Sequence, residues 1–203
     1  TMAKFAEALG EKDDAEFLVG SAGLVPINGW NYTDLFTNFL NEKYYTPRSF
    51  AENAVIHFQK QYVTDSSAGI TAIKLDEVQN LYDAFNNFAL YLANNINDSS
   101  MQYFVEQVIN VSGKKYKYSS GPCDVYLDLY DFSKKMFEEI PIDWEDYVLN
   151  LQNAITQTCK YSWTNDGSIN QIGVYYASVD SSNNIMPVYS DSYIQGSGVN
   201  NQS

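Results

Sequence analysis

The chain has 203 residues, 45% of them hydrophobic, and a formal net charge of -13, enough apolar material for one sizeable core and one domain, or most of one. So acidic a chain argues against binding along a phosphate backbone, which needs basic groups to displace counterions, and disfavours anionic membranes for the same reason. No apolar run approaches the roughly 20 residues that span a bilayer, and the N-terminus carries no basic-then-apolar leader pattern.

The stretch from Thr1 to Asp34 sets the organisation. Met2, Phe5, Ala6 and Leu9 recur at helical spacing, and Gly10 with the charged run Glu11 to Asp14 ends that helix. A chain that opens on Thr-Met inside a helix reads as a processed or truncated piece. Phe17, Leu18 and Val19 are apolar in succession, the pattern of a strand covered on both faces, as in a parallel sheet. The strand runs out into Gly20, Ser21, Ala22 and Gly23, then Pro26, Asn28, Gly29 and Trp30, before a new helix near Asn31. In open α/β sheets, ligands bind beyond the carboxyl end of a strand.

That helix carries Leu35, Phe36, Phe39 and Leu40. Thr46-Pro47 starts another, a capping hydroxyl followed by a proline in the first turn, with Phe50, Ala54, Val55 and Phe58 as its inner stripe. His57, the single histidine, lies at the edge of that stripe and reads as a packing or surface residue. Gly69 to Leu75 is the next predicted strand, and Asp76 the predicted cap of a long helix with Val78, Leu81, Tyr82, Phe85, Phe88, Ala89 and Leu92 at helical spacing. Asn94, Asn95 and Asn97 interrupt it. Ser99 and Ser100 cap a helix carrying Met101, Phe104, Val105 and Val108.

Gly113 to Pro122 reads as a loop whose Lys114, Lys115 and Lys117 make a solvated edge or turn. Asp128, Leu129, Phe132 and Met136 open the next helix, and Asp143 caps one carrying Trp144, Tyr147, Val148, Leu151 and Ile155. Cys159 falls on that last apolar face and reads as a buried structural thiol; Cys123 follows Gly-Pro in a loop, and the pairing of the two stays open. Ile172 to Ala177 is the last clear strand, followed from Ser178 by a Ser/Asn/Gly-rich loop or tail. Strand followed by helix, repeated, marks α/β layering.

Several of these segments resemble the clostripain-type cysteine peptidases. The family pattern places a nucleophile in D-A-C-x-M-A, then an amphipathic helix, a strand with an S-E exit and a G-W-x-Y-D turn. Met2-Ala3 matches the M-A, Phe17 to Val19 the strand, Ser21 the serine, and Gly29-Trp30-Asn31-Tyr32 the turn. That register puts the family's cysteine immediately before Thr1, outside this chain. Ile70 to Leu75 is similar to S-A-I-D-L, with Lys74 in place of the acid; Asp128 to Phe132 is similar to D-L-Y-D-F, and Ile172 to Tyr176 to a late strand. Ala22 stands where the pattern often has Glu, and Thr33 where it often has Asp, with Asp34 one position later.

The resemblance implies an α/β, caspase-like αβα sandwich with a mostly parallel central sheet, of which residues 1–203 are the C-terminal part. It implies a secreted or cell-surface cysteine endopeptidase acting on peptides or proteins, with an upstream segment or light chain carrying nucleophile and histidine. Ser21, Ala22, Trp30, Tyr32, Thr33 and Asp34 would line the pocket for the substrate residue before the scissile bond. Calcium is a further implication, although Asp13-Asp14 and Asp128 with Asp131 lack calcium-ligand spacing and read as solvated acids.

Three alternatives stand beside this reading. Trp30 and Tyr32 can simply plug the core, since large aromatics are core material first. A terminal threonine can act as nucleophile through its own amine, though Thr1 opens a helix rather than a strand. A non-catalytic relative binding peptide or carbohydrate fits the same aromatic-rich composition.

Overall fold

A computed structural model of the chain describes residues 15–21, 26–41, 46–65, 68–95, 97–111, 124–139, 145–165 and 172–177. The predicted N-terminal helix, the Lys114 to Lys117 loop, Ala22, Cys123, Asp143, Trp144 and the tail from Ser178 lie outside the described residues.

The element order is β1 (Phe17–Gly20), α1 (Tyr32–Asn41), α2 (Pro47–Tyr62), β2 (Gly69–Lys74), a 3-10 turn (Leu75–Glu77), α3 (Val78–Asn95), α4 (Ser99–Val111), β3 (Asp124–Asp128), α5 (Leu129–Glu139), α6 (Glu145–Thr158), β4 (Cys159–Thr164) and β5 (Gly173–Ala177). β2 lies between β1 and β4, and β3 pairs with β5. Every one of these pairings is antiparallel. This corrects the expectation of a mostly parallel sheet for the described strands. Two helices, α1 and α2, separate β1 from β2, and the chain re-enters the sheet running the opposite way.

The apolar run of β1 does signal cover on both faces. Phe17 and Val19 pack with Ala51, Val55, Phe58 and Tyr62 of α2, while Leu18 packs on the other face with Ile73, Leu75 and Val78. α6 reaches β2 and β4 as well. Helices therefore flank the sheet. A larger cluster joins Leu81 and Phe88 of α3, Val108 of α4, Phe132 and Met136 of α5, and Val148, Leu151 and Ile155 of α6. Positions 81, 88 and the half-buried 85 and 92 form the α3 stripe; Tyr82, expected on it, is exposed.

The helix starts follow local chemistry. Thr46 Oγ1 accepts from the Ser49 N–H at 3.1 Å and Ser49 Oγ accepts from the Thr46 N–H at 2.9 Å, a reciprocal cap with Pro47 in the first turn. Asp98, rather than Ser99 or Ser100, caps α4, its Oδ1 accepting from the Ser100 N–H at 2.8 Å. Asp76 does not cap the long helix: it sits inside the 3-10 turn and pairs with Lys74 at 2.8 Å. Asp128 ends β3 and caps α5, accepting from the Asp131 N–H at 2.9 Å.

Candidate functional site

β1 ends at Gly20, and its exit is followed by a turn in which the Gly29 N–H donates to Pro26 O at 2.9 Å. Gly29 has φ of +61°, a left-handed conformation that strains any side chain, with nothing near enough for space itself to demand glycine. Asn31 then caps α1, its Oδ1 accepting from the Asp34 N–H at 3.2 Å while its O accepts from the Leu35 N–H at 3.1 Å.

The sequence-predicted site residues divide here. Trp30 turns inward and stands half-buried, its ring 5.4 Å from that of Phe58. Tyr32 is 59% exposed and stacks on Phe36 at 6.2 Å. Both rings border an open, mainly apolar pocket of about 710 Å³ between β1, α1 and α2, with Phe17, Phe36, Pro47 and Phe50 among its walls. Ser21 lies at the β1 exit, and Thr33 and Asp34 on the exposed first turn of α1, none of them in that wall. Pro47 and Phe50 were legible only as a helix start and a core stripe; nothing in their spacing pointed to a pocket.

Asp34 is engaged by its own helix start. Its Oδ2 accepts from Asn31 Nδ2 at 2.6 Å, and its backbone O accepts from Asn38 Nδ2 at 2.9 Å. Lys74 is remote from the β1 exit, since it pairs in register with Phe17 while Gly20 lies opposite Thr71. Its ammonium, 2.8 Å from Asp76 and 3.4 Å from Glu77, is held above the ordinary lysine range, chiefly by the hydrogen bond to Asp76.

Two groups with catalytic chemistry are described. His57 Nε2 lies 3.0 Å from Asn38 Nδ2, tying α2 to α1, as a packing role requires. Cys159 begins β4 rather than ending a helix, and is a free thiol, 5% exposed. Burial, reinforced by the nearby Asp128 carboxylate, pushes its pKa up to about 12. A thiol so placed is protonated at neutral pH and is no nucleophile.

The same shift carries a stability prediction. Below the unfolded thiol's pKa, about 8.5, both states are protonated and the group contributes no pH dependence. Between that value and about 12 the unfolded chain releases the proton while the folded one keeps it, so stability falls as pH rises. Urea melts from pH 8 to 11 should show a steeper loss for the wild type than for Cys159→Ala; equal slopes would refute the assignment.

The described residues contain no group of three or more His, Cys, Asp or Glu side chains able to hold a metal ion. Asp128, read as a solvated acid, is instead buried at 2% exposure, its Oδ1 accepting from the Asp131 N–H, and Asp131 pairs with Lys135 at 2.7 Å. None of the described helices is long and apolar enough to cross a membrane.

The clostripain family model matches residues 4–195. No curated protein matches the chain. Among solved structures, an inactive zymogen C11 protease from Parabacteroides distasonis is similar at TM-score 0.52 and 14% identity, over 89% of this chain and 47% of that one. A clostripain from Bacteroides thetaiotaomicron, in complex with a peptide inhibitor, is similar at TM-score 0.53 and 18% identity, over 85% of this chain and 68% of that one. A cysteine protease of B. fragilis is similar at TM-score 0.52 and 14% identity, over 95% of this chain and 78% of that one. The chain thus spans about half the length of the first of these. At such identities the likeness shows the fold, which is α/β and caspase-like.

Proposed function

The chain belongs to the clostripain family, and on that premise we propose that the full-length protein is a secreted cysteine endopeptidase whose nucleophile and histidine lie upstream of Thr1. The match over residues 4–195 carries this reading. It takes in β1, the turn at Gly29 and the pocket walls together. Such a cysteine, as thiolate, attacks the peptide carbonyl; the histidine passes a proton to the departing amine, and water then releases the acyl group. This chain's part is to hold substrate, chiefly through Trp30 and Tyr32, which border the pocket. The peptide inhibitor bound by the Bacteroides thetaiotaomicron relative supports a peptide as the ligand.

The test is to express the full-length protein and label it with a peptidyl electrophile. Labelling at a cysteine immediately before Thr1, with matching loss of hydrolysis, is the expected result. A full-length protein that binds peptide but takes no label and hydrolyses nothing would instead be a non-catalytic binding relative.

A specificity prediction follows from Ala22, Thr33 and the engaged carboxylate of Asp34. A basic side chain seated against this mainly apolar wall without a paired carboxylate binds less well than a paired one. The enzyme should therefore prefer Arg or Lys before the scissile bond less than a pocket with two free acids would. Asp34→Ala should cost about 0.5 kcal/mol of stability through the lost first-turn carboxylate, and leave the ranking of Arg, Lys and neutral substrates unchanged. Strong Arg preference in the wild type, lost in Asp34→Ala, would show that the carboxylate turns to substrate.

A further inference from the structure

We propose that Gln61 and Tyr62, at the end of α2, are positioning residues for substrate, fixing the backbone on both sides of Trp30 so that Trp30 and Tyr32 are presented to the bound peptide. This rests on the peptidase reading above. Gln61 Nε2 donates to Gly29 O at 3.1 Å, and Gln61 Oε1 accepts from the Asn31 N–H at 2.8 Å. One side chain thus bridges the peptide groups before and after Trp30. Tyr62 Oη, from a 7% exposed ring, donates to the same Gly29 O and accepts from Gln61 Nε2, the latter at 2.9 Å.

Both Gln61 amide hydrogens and its oxygen are used in this arrangement, which a charged or apolar residue cannot reproduce. The Trp30 ring meets the same helix one turn earlier, at Phe58, whose ring lies 4.7 Å from that of Tyr62. Trp30 is therefore held by ring and by both flanking peptides from one face of α2, about thirty residues away. The turn's own bond, Gly29 N–H to Pro26 O at 2.9 Å, fixes only its shape. Its placement against the pocket comes from α2. Gln61 itself is exposed, so replacing it removes the pins without opening the core.

The test uses full-length protein, wild type and the variants Gln61→Leu, Gln61→Glu and Tyr62→Phe, with fluorogenic peptide amides carrying Lys, Arg or Leu before the scissile bond. Amide exchange at Asn31 is followed alongside. Gln61→Leu should raise KM about five- to tenfold with kcat within about twofold, the signature of lost binding rather than lost chemistry, and should speed Asn31 exchange at least tenfold. Gln61→Glu keeps the acceptor for the Asn31 N–H and loses the donor to Gly29 O, so exchange should stay slow while KM rises less. Tyr62→Phe should change KM by less than Gln61→Leu. Faster Asn31 exchange with unchanged KM would overturn the proposal, since the turn would then be pinned but not touch substrate. Unchanged exchange in Gln61→Leu would overturn it from the other side. A wild type that hydrolyses none of the peptides removes the peptidase reading itself, and this proposal with it.

Discussion

Expressed alone, the 203-residue chain should hydrolyse no peptide above the uncatalysed rate, while the full-length protein does so with thiol dependence, an expected difference of roughly 10⁶-fold or more. The described thiol is Cys159, which burial holds protonated at neutral pH. The described imidazole, His57, is turned to Asn38. Positioned donors can stabilise a transition state but supply no nucleophile to form the acyl-enzyme. Stability should fail in parallel. Among the described strands, ordered β1-β2-β4, β1 stands at the edge, with apolar side chains on both faces and a pocket along its flank, the arrangement that recruits another strand. The isolated chain should aggregate or melt broadly, and the upstream segment should restore a cooperative transition. A sharp two-state melt of the isolated chain would remove the incomplete-domain argument. Hydrolysis that survives Cys123→Ala/Cys159→Ala but is lost when the Thr1 amine is blocked would install the N-terminal threonine mechanism instead.

Helices were legible in the sequence where an apolar period met a strong start signal. Thr46-Pro47 and the Leu81, Phe85, Phe88, Leu92 stripe are such cases, because capping and burial at helical spacing are local properties. The β1 and β2 strands were legible for a similar reason, their apolar runs being short and bounded. β3 and β4 were not. The residues of β4, Cys-Lys-Tyr-Ser-Trp-Thr, follow α6 with no intervening turn signal, so the helical spacing of Val148, Leu151 and Ile155 runs on to Cys159 in the sequence without a break. Strand direction was also hidden, since sequence shows that both faces of β1 are apolar and not which end its partner enters.

The same division holds at the site. Gly29 and Trp30 were visible as a turn, and the +61° φ at Gly29 is the physical reason glycine stands there. The clamp from Gln61 and Tyr62 left no trace in the sequence, because a glutamine near a helix end is ordinary and its partners lie about thirty residues away. The α1 face misled in the opposite direction. Leu35 is buried, whereas Phe36, Phe39 and Leu40 are exposed, with Phe36 in the pocket wall. An apolar stripe marks a surface that wants cover; which surface supplies it is a tertiary question.

Phe58→Ala in the full-length protein should cost about 3–5 kcal/mol, the range for removing a large aromatic from a packed core. Phe58 is 1% exposed, and its ring meets Tyr62 at 4.7 Å, Trp30 at 5.4 Å and Trp163 at 6.4 Å. Three aromatic neighbours from α2, the Gly29 turn and β4 cannot all move into the vacated space, since each is tied elsewhere. Tyr62 is bonded to Gly29 O, the Trp30 backbone is held between Gln61's two contacts, and Trp163 is fixed in register opposite Ile70. The cavity therefore stays largely open, which puts the cost toward the upper part of that range. Tyr103→Ala, at a ring 66% exposed on α4, is the control and should stay within about 0.5 kcal/mol of wild type. Because Phe58 also backs Trp30, its loss should raise KM as Gln61→Leu does, and the two effects should be less than additive when combined, as for neighbours sharing one partner. A loss below about 1.5 kcal/mol for Phe58→Ala, or full additivity with Gln61→Leu in KM, would mean that Trp30 is held by something other than this face of α2.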